Sequence, residues 1–425
     1  MMEIINNPAK ENWENILKRP IIDLKELESN VSAILSDIRS NGDSAVKRYT
    51  IQFDKIALNS FKVSEAEIAD SENEIGPKLK AAIIQAKANI EKFHSAQKEG
   101  INIVETMPGV KCWRKSVGIE KVGLYIPGGS APLFSTVLML GVPATIAGCK
   151  EIILCTPCNT EGKVNAAILF AAKLCGITNI FKIGGVQAIG AMAYGTQTIP
   201  KVYKIFGPGN QYVTCAKQLV NKEGTAIDMP AGPSEVAIIA DDSCEPAYVA
   251  ADLLSQAEHG VDSQVILVSN SQTVIDKTLL ELEIQLNQLK RADIAKKALK
   301  NSKAVLVNSL EQGMDLLNEY APEHLIIACK NYNELSELVV NAGSVFLGNY
   351  SCESAGDYAS GTNHTLPTNG YAKAYSGVSL DSFVKKITYQ NLSKQGIQNL
   401  GNTIELMAEA EGLDAHKNAV TLRLK

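Results

Sequence analysis

Four of the five histidines in this chain sit in short stretches already rich in other functional groups: Gln256-Ala-Glu-His259, Pro322-Glu-His324, Gly361-Thr-Asn-His364 and Gly412-Leu-Asp-Ala-His416. Histidine is the usual zinc ligand and the side chain that titrates nearest neutral pH. A chain with so few histidines that sets them beside carboxylates and an amide is expected to be a metal-assisted enzyme. The fifth, His94, falls in a charged helical run and is read as incidental.

Gln256 and His259 would close a helix that starts at Pro246, carries Val249, Leu253 and Leu254 as its apolar stripe and stops at Gly260. A spacing of three puts the amide oxygen and an imidazole nitrogen on one face, where both can hold one ion. A solvated Gln and a His that favours the helix dipole fit the same spacing. The stretch Ser351 to His364 is dense in small and polar residues and follows an apolar run ending at Leu347, the end of a parallel strand where ligands usually bind. Within it Asp357, preceded by Gly356, is either a hard-oxygen ligand or a cap. Glu323 and His324 open another apolar run and offer two neighbouring proton acceptors, one for a hydroxyl and one for a water; a solvated pair at a strand mouth is the alternative. The start of a strand is not the favoured end for a site in an open α/β sheet.

The elements that must position these residues follow a βαβ pattern: short β-branched runs ending in Gly or Pro alternate with helical-length segments. One series begins at Lys121, Glu151, Asn179 and Lys201; a second begins at Glu235, Gln264, Lys303, His324 and Ser344. The fold expected is α/β, with two doubly wound, incomplete Rossmann-like parallel-sheet domains, N-terminal helices and a helical C-terminal tail. Residues 1–20 are read as an extension, 21–120 with 235–378 as a first domain carrying the reactive residues, 121–234 as a second, and 379–425 as the tail. The two series break at Met229-Pro-Ala-Gly-Pro233, which excludes regular structure. No G-x-G-x-x-G is present, but Tyr125-Ile-Pro-Gly-Gly129, Gly184-Gly-Val-Gln187 and Gly207-Pro-Gly-Asn210 put glycines after successive strands, where backbone amides could face a pyrophosphate or simply serve packing.

Composition removes several classes. The chain has 425 residues, 45% hydrophobic and 20% charged, ample for more than one domain. Lys+Arg 41 against Asp+Glu 46 leaves a net charge of -5 with no basic stripe, which argues against nucleic acid. No secretory start and no uninterrupted membrane-length apolar run occurs, so no membrane partner and a cytoplasmic location are expected. Nine scattered cysteines fit a reducing compartment, and Cys155-Thr-Pro-Cys158 is read as structural, since it ends an apolar run and no second pair completes a zinc knuckle.

Taken in order, the segments beginning at Tyr125, Phe206, Pro230, Asp252 (Asp252-Leu-Leu-Ser-Gln-Ala-Glu-His-Gly260), Ala321 (Ala321-Pro-Glu-His324) and Glu353 (through His364), with the Glu411 to His416 tail, resemble the histidinol dehydrogenase family over nearly the whole chain. Cys352 and Val261 stand where proline is expected, and neither is a proposed ligand. The resemblance implies oxidation of L-histidinol to L-histidine through L-histidinal with two NAD, the last step of histidine biosynthesis, by a homodimer holding one zinc per subunit. By that resemblance Gln256, His259, Asp357 and His416 would hold zinc, His416 coming from the partner's tail. His324 would be the base in each oxidation and Glu323 would activate the water. Ser234, His364 and Glu411 would contact substrate alongside His324 and the metal set, and Tyr125, Gln187 and Asn210 would bind NAD. Two competing readings remain: a relative in the same family acting on another small alcohol such as a sulfonated diol, and a zinc hydrolase using Glu323 to activate water.

Overall fold

Three sheets organise the chain, which is described here from a computed structural model covering residues 2–20, 24–128, 132–230 and 232–425. Gly129 of the first glycine turn and Ala231 of the Met229–Pro233 break lie outside the described residues. The largest sheet has six parallel strands in the order Glu3–Asn6, Lys303–Leu306, Gln264–Ser269, Glu235–Ala240, His324–Ala328 and Ser344–Leu347. A five-stranded parallel sheet runs Asn179–Phe181, Glu151–Cys155, Lys121–Tyr125, Lys204–Phe206 and Ala226–Ile227. Numbered along the chain, the five-stranded sheet has the order 3-2-1-4-5, the Rossmann order without its sixth strand, and the six-stranded sheet repeats it with Glu3–Asn6 added at one edge. Both series of apolar runs therefore formed the parallel sheets expected of them.

Period-two alternation explains the two-sided cover. In Glu235–Ala240 every residue is buried. Val236 and Ile238 join Val249 and Leu253 of helix Pro246–Ala257 on one face, while Ala237 and Ile239 join Met314 and Leu317 of helix Leu310–Tyr320 on the other. The five-stranded sheet is sandwiched likewise, with Leu124 in one core and Ile153 in the other.

Packing corrects the expected grouping of residues 21–120 with 235–378. Leu27, Val31, Leu35 and Ile38 of helix Leu24–Asn41 pack against helix Gly185–Tyr194, and Ile83 and Ile90 of helix Pro77–Ser95 share a core with helix Phe134–Ala147. These helices cover the five-stranded sheet, because an apolar stripe specifies that a face is buried and not against what. Residues 1–20 are no loose extension: Glu3–Asn6 pairs with Lys303–Leu306, and Trp13 and Leu17 are buried under the six-stranded sheet. Part of the expected helical tail is a strand, Val384–Leu392, which pairs antiparallel with Val110–Gly118, itself paired with Ile103–Met107. Beyond it, helices Lys394–Ala410 and Asp414–Leu424 pack on each other and leave Leu406, Met407 and Leu422 exposed.

No helix among the described residues is long and apolar enough to cross a membrane. All nine cysteines are free, with Cys155 buried and Cys158 half-buried.

Candidate active site and a separate cavity

The amino ends of two neighbouring strands of the six-stranded sheet, Glu235–Ala240 and His324–Ala328, form the floor of a buried polar cluster. Helix Pro246–Ala257 returns antiparallel to these strands and delivers Gln256 to the same end, and the short helix Glu353–Tyr358 delivers Glu353 and Asp357. Pro at the start of the first helix matches the expectation; its end comes at Ala257, so His259 lies in the following turn, where its N–H donates to the Gln256 carbonyl. The doubt about the strand's starting end is thus answered by the returning helices, which bring their own side chains there.

The geometry is tight. The Gln256 amide nitrogen donates to Glu353 Oε1 at 2.7 Å and lies 2.9 Å from His324 Nδ1. His324 Nε2 is 3.4 Å from Asp357 Oδ1, and its Nδ1 is 3.7 Å from Glu323 Oε2 and 3.2 Å from the Glu235 carbonyl. Glu323 Oε2 accepts from the Glu235 N–H at 2.9 Å. The Asp357 carbonyl is 2.9 Å from His364 Nδ1, whose Nε2 is 3.1 Å from Thr136 Oγ1, so helix Phe134–Ala147 of the other α/β unit helps hold the site.

Electrostatics follow from burial among like charges. Burial pushes the Glu323 carboxyl up to about 8, against the opposing pull of His324. Burial alone would lower the His324 imidazole, yet the carboxylates of Glu323, Glu353 and Asp357 outweigh it and raise it to about 10. Burial lifts Glu353 well above the carboxylate range. Asp357 moves the other way: burial works against it, but His324 holds it below its ordinary value. Burial lowers both His259 and His364.

Three buried atoms here have no hydrogen-bond partner: Gln256 Oε1, His324 Nε2 and Asp357 Oδ1. An unsatisfied buried polar atom costs about 1–3 kcal/mol, so three together mark a place built to receive a bound group. Nitrogen and oxygen donors of this kind suit a divalent first-row ion. His324, Glu353 and Asp357 also offer ligand atoms within 4.8 Å of one another.

Not every expected residue joins the cluster. Ser234 sits half-buried one residue before the strand floor, and its carbonyl accepts from Gln264 N–H. His259 is exposed in the single chain, although Asp357 and His324 are close enough to affect its titration. Glu411 and His416 lie exposed on the C-terminal helical hairpin, and the chain does not bring them to its own cluster. Sequence reasoning gave no role to Glu353, although an acid four residues before Asp357 on one short helix was a usable signal. It also misjudged His94, which is fully buried: its Nδ1 is 3.1 Å from Gln97 Oε1 and its Nε2 3.5 Å from the Asn363 amide, which donates to the Met139 carbonyl at 2.6 Å. His94 thereby ties the His364 loop to the neighbouring helix.

A separate cavity of about 1530 Å³ opens at the carboxyl ends of the five-stranded sheet, and Tyr125, Gln187 and Asn210 all line it. Tyr125 ends its strand and its hydroxyl accepts from the Gly185 N–H at 3.1 Å. Asn210 caps helix Gln211–Lys222 by accepting from the N–H groups of Tyr212 and Val213. Its turn is pinned by a buried pair, Lys217 and Asp228 at 2.5 Å, which take the Gly207 carbonyl and N–H respectively. The cavity lies beside the switch from strand 1 to strand 4, the usual ligand crevice of this topology.

Comparison with known proteins agrees with this architecture. The family described as Histidinol dehydrogenase matches residues 17–424. Histidinol dehydrogenases of Bacteroides fragilis and Bacteroides thetaiotaomicron are 61% and 60% identical, each across 100% of this chain and 99% of the relative. The crystal structure of histidinol dehydrogenase from Elizabethkingia anophelis superposes with a TM-score of 0.98 at 56% identity, covering 100% of this chain and 98% of that one. With the match running nearly end to end and the fold shared throughout, this chain belongs to the histidinol dehydrogenase family, the oxidoreductases of the final, NAD-dependent step of histidine biosynthesis.

Proposed function

We propose that the chain carries L-histidinol through L-histidinal to L-histidine in two oxidations, with His324 as the base in both and Glu323 activating the water between them. The observation that carries this division is the burial of two adjacent proton acceptors at one strand mouth, beside buried oxygens of Gln256 and Asp357 that lack partners. Bound NAD would accept the hydride of each oxidation, and a bound zinc would grip the substrate's imidazole and amine and so orient it.

His324 takes the hydroxyl proton of the alcohol as the carbon gives up its hydride, and then that of the hydrated aldehyde in the same way. Glu323 accepts a proton from the water that adds to the aldehyde carbon; a carboxyl whose affinity for protons lies near neutral is suited to that task. Coordination of Asp357 would withdraw one of the three carboxylates that hold the His324 proton, moving the imidazole back toward neutral. Tyr125, Gln187 and Asn210 would hold the nucleotide in the cavity they line.

Gln256, His259 and Asp357 would hold the metal, completed by His416 of the partner subunit. Support for a tail shared between subunits comes from the exposed Leu406, Met407 and Leu422 on the hairpin and the exposure of His416 there. The proximity of His324, Glu353 and Asp357 favours a second ligand set, and His259→Ala separates the two, since only the first loses a ligand.

NADH formed from a limiting amount of L-histidinol, with zinc-loaded and chelator-stripped enzyme, tests the reading. Two NADH per substrate, lost on stripping and restored by zinc, is expected. One NADH would overturn the role of Glu323, and none, with activity on a sulfonated diol, would assign the chain another substrate.

A further inference from the structure

In a dinucleotide fold of order 3-2-1-4-5, the acid that reads the adenosine ribose ordinarily comes from the end of the second strand. Here that strand ends at Cys155 and runs into Thr156 and Pro157, with no carboxylate. Two carboxylates nevertheless line the cavity, Glu74 and Asp54, and Asp54 is the one hydrogen-bonded to Gln187. Asp54 ends the helical turn Thr50–Asp54, lines the cavity together with Tyr125 and Gln187, and accepts from the Gln187 amide nitrogen at 3.3 Å.

That contact settles the orientation of Gln187, because a carboxylate can only accept and the amide must present its nitrogen. Gln187 is buried, and its carbonyl oxygen has no hydrogen-bond partner. What the pair turns to the cavity is therefore acceptors alone: the two oxygens of the Asp54 carboxylate, with the Gln187 carbonyl oxygen buried behind them. Among the described residues no Lys or Arg forms an ion pair with Asp54. A ribose 2′,3′-diol supplies two hydroxyl donors and matches such a pair. A 2′-phosphate brings charge of the same sign and removes one of the donors.

We infer that Asp54, braced against Gln187, reads the adenosine ribose diol and restricts this site to NAD over NADP. The carboxylate is supplied by the N-terminal helical segment that packs over the sheet, in place of the missing acid after the second strand. This inference rests on the reading of the cavity as the nucleotide site.

The test is steady-state kinetics of the full-length, zinc-loaded enzyme with NAD and with NADP, for the wild type, Asp54→Asn and Asn210→Ala. Asp54→Asn keeps the size of the side chain and removes its charge. The wild type should favour NAD strongly in kcat/KM, and Asp54→Asn should reduce that preference by roughly 10–100-fold, mainly through a higher KM for NAD and a lower one for NADP. Because the preference is a ratio within one preparation, a lowered fraction of folded enzyme cancels. An unchanged ratio in Asp54→Asn, with Asn210→Ala still raising KM for both nucleotides, would overturn the inference and leave the cavity reading intact. If Asn210→Ala and Asp54→Asn both leave the nucleotide KM values unchanged, the cavity reading falls and the inference falls with it.

Discussion

Replacing Glu353 with glutamine tests how the metal site is aimed. Glu353 is 1% exposed, and it holds the Gln256 amide nitrogen at 2.7 Å so that the carbonyl oxygen is left buried and unpartnered. A hydrogen bond to a charged group contributes about 1.5–3 kcal/mol and a neutral one about 0.5–1.5 kcal/mol, so Glu353→Gln should cost about 1–1.5 kcal/mol of orientation. A glutamine at 353 can also donate, which lets Gln256 turn its nitrogen to the ion. With the Glu353 carboxyl ionised, zinc affinity should therefore fall about 10-fold, at the lower end of the roughly 10–100-fold typical of residues that orient a ligand. The sign of the pH dependence follows from burial, which raises Glu353 well above the ordinary carboxylate range. Below that raised value the carboxyl is protonated and must release a proton when an ion binds, so the wild type loses affinity as pH falls and the glutamine variant loses less. The gap should narrow as pH falls. Competition with a fluorescent chelator across pH 6–8.5 measures it. A gap independent of pH, or none, would refute the orienting role; a loss far beyond 100-fold would make Glu353 itself a ligand.

Glu323→Gln should slow oxidation of L-histidinal more than oxidation of L-histidinol, because only the former needs an activated water; equal losses in the two half-reactions, measured separately by stopped flow, would contradict this. Mixing inactive His259→Ala and His416→Ala chains should restore part of the activity through hybrid dimers, and no recovery under demonstrated subunit exchange would exclude a shared site. Burial raises Asp252 to about 7 from 3.8, so its charged form is disfavoured in the fold. That penalty is absent below about pH 4, grows as pH rises through 7, and reaches about 2–4 kcal/mol above it. Asp252→Asn should thus raise the urea midpoint at pH 8.5 and leave it nearly unchanged at pH 4; equal shifts at both would refute the assignment.

The strand order's raw material was legible because strands buried in a parallel sheet read as short apolar runs, and nine such runs became nine of the eleven strands of two parallel sheets. The candidate site residues were legible as dense local clusters around Gln256, Glu323, His324, Asp357 and His364, and one cavity is lined by Tyr125, Gln187 and Asn210 together. Other features lay outside any local window. Strand Glu3–Asn6 exists by pairing with residues 300 positions away, and the three-stranded sheet joins Val110–Gly118 to Val384–Leu392 across the whole chain. Periodicity announced that Leu27, Val31 and Leu35 are buried, but the choice of the five-stranded sheet belongs to shape and volume. His94, an acid-to-amide brace at Glu353 and a carboxylate at Asp54 acquire meaning only from partners 97 to 269 residues distant. Residue type and spacing thus name the chemistry, while the packing of distant segments decides which groups lose water together, and that shared desolvation sets their hydrogen bonds and their protons.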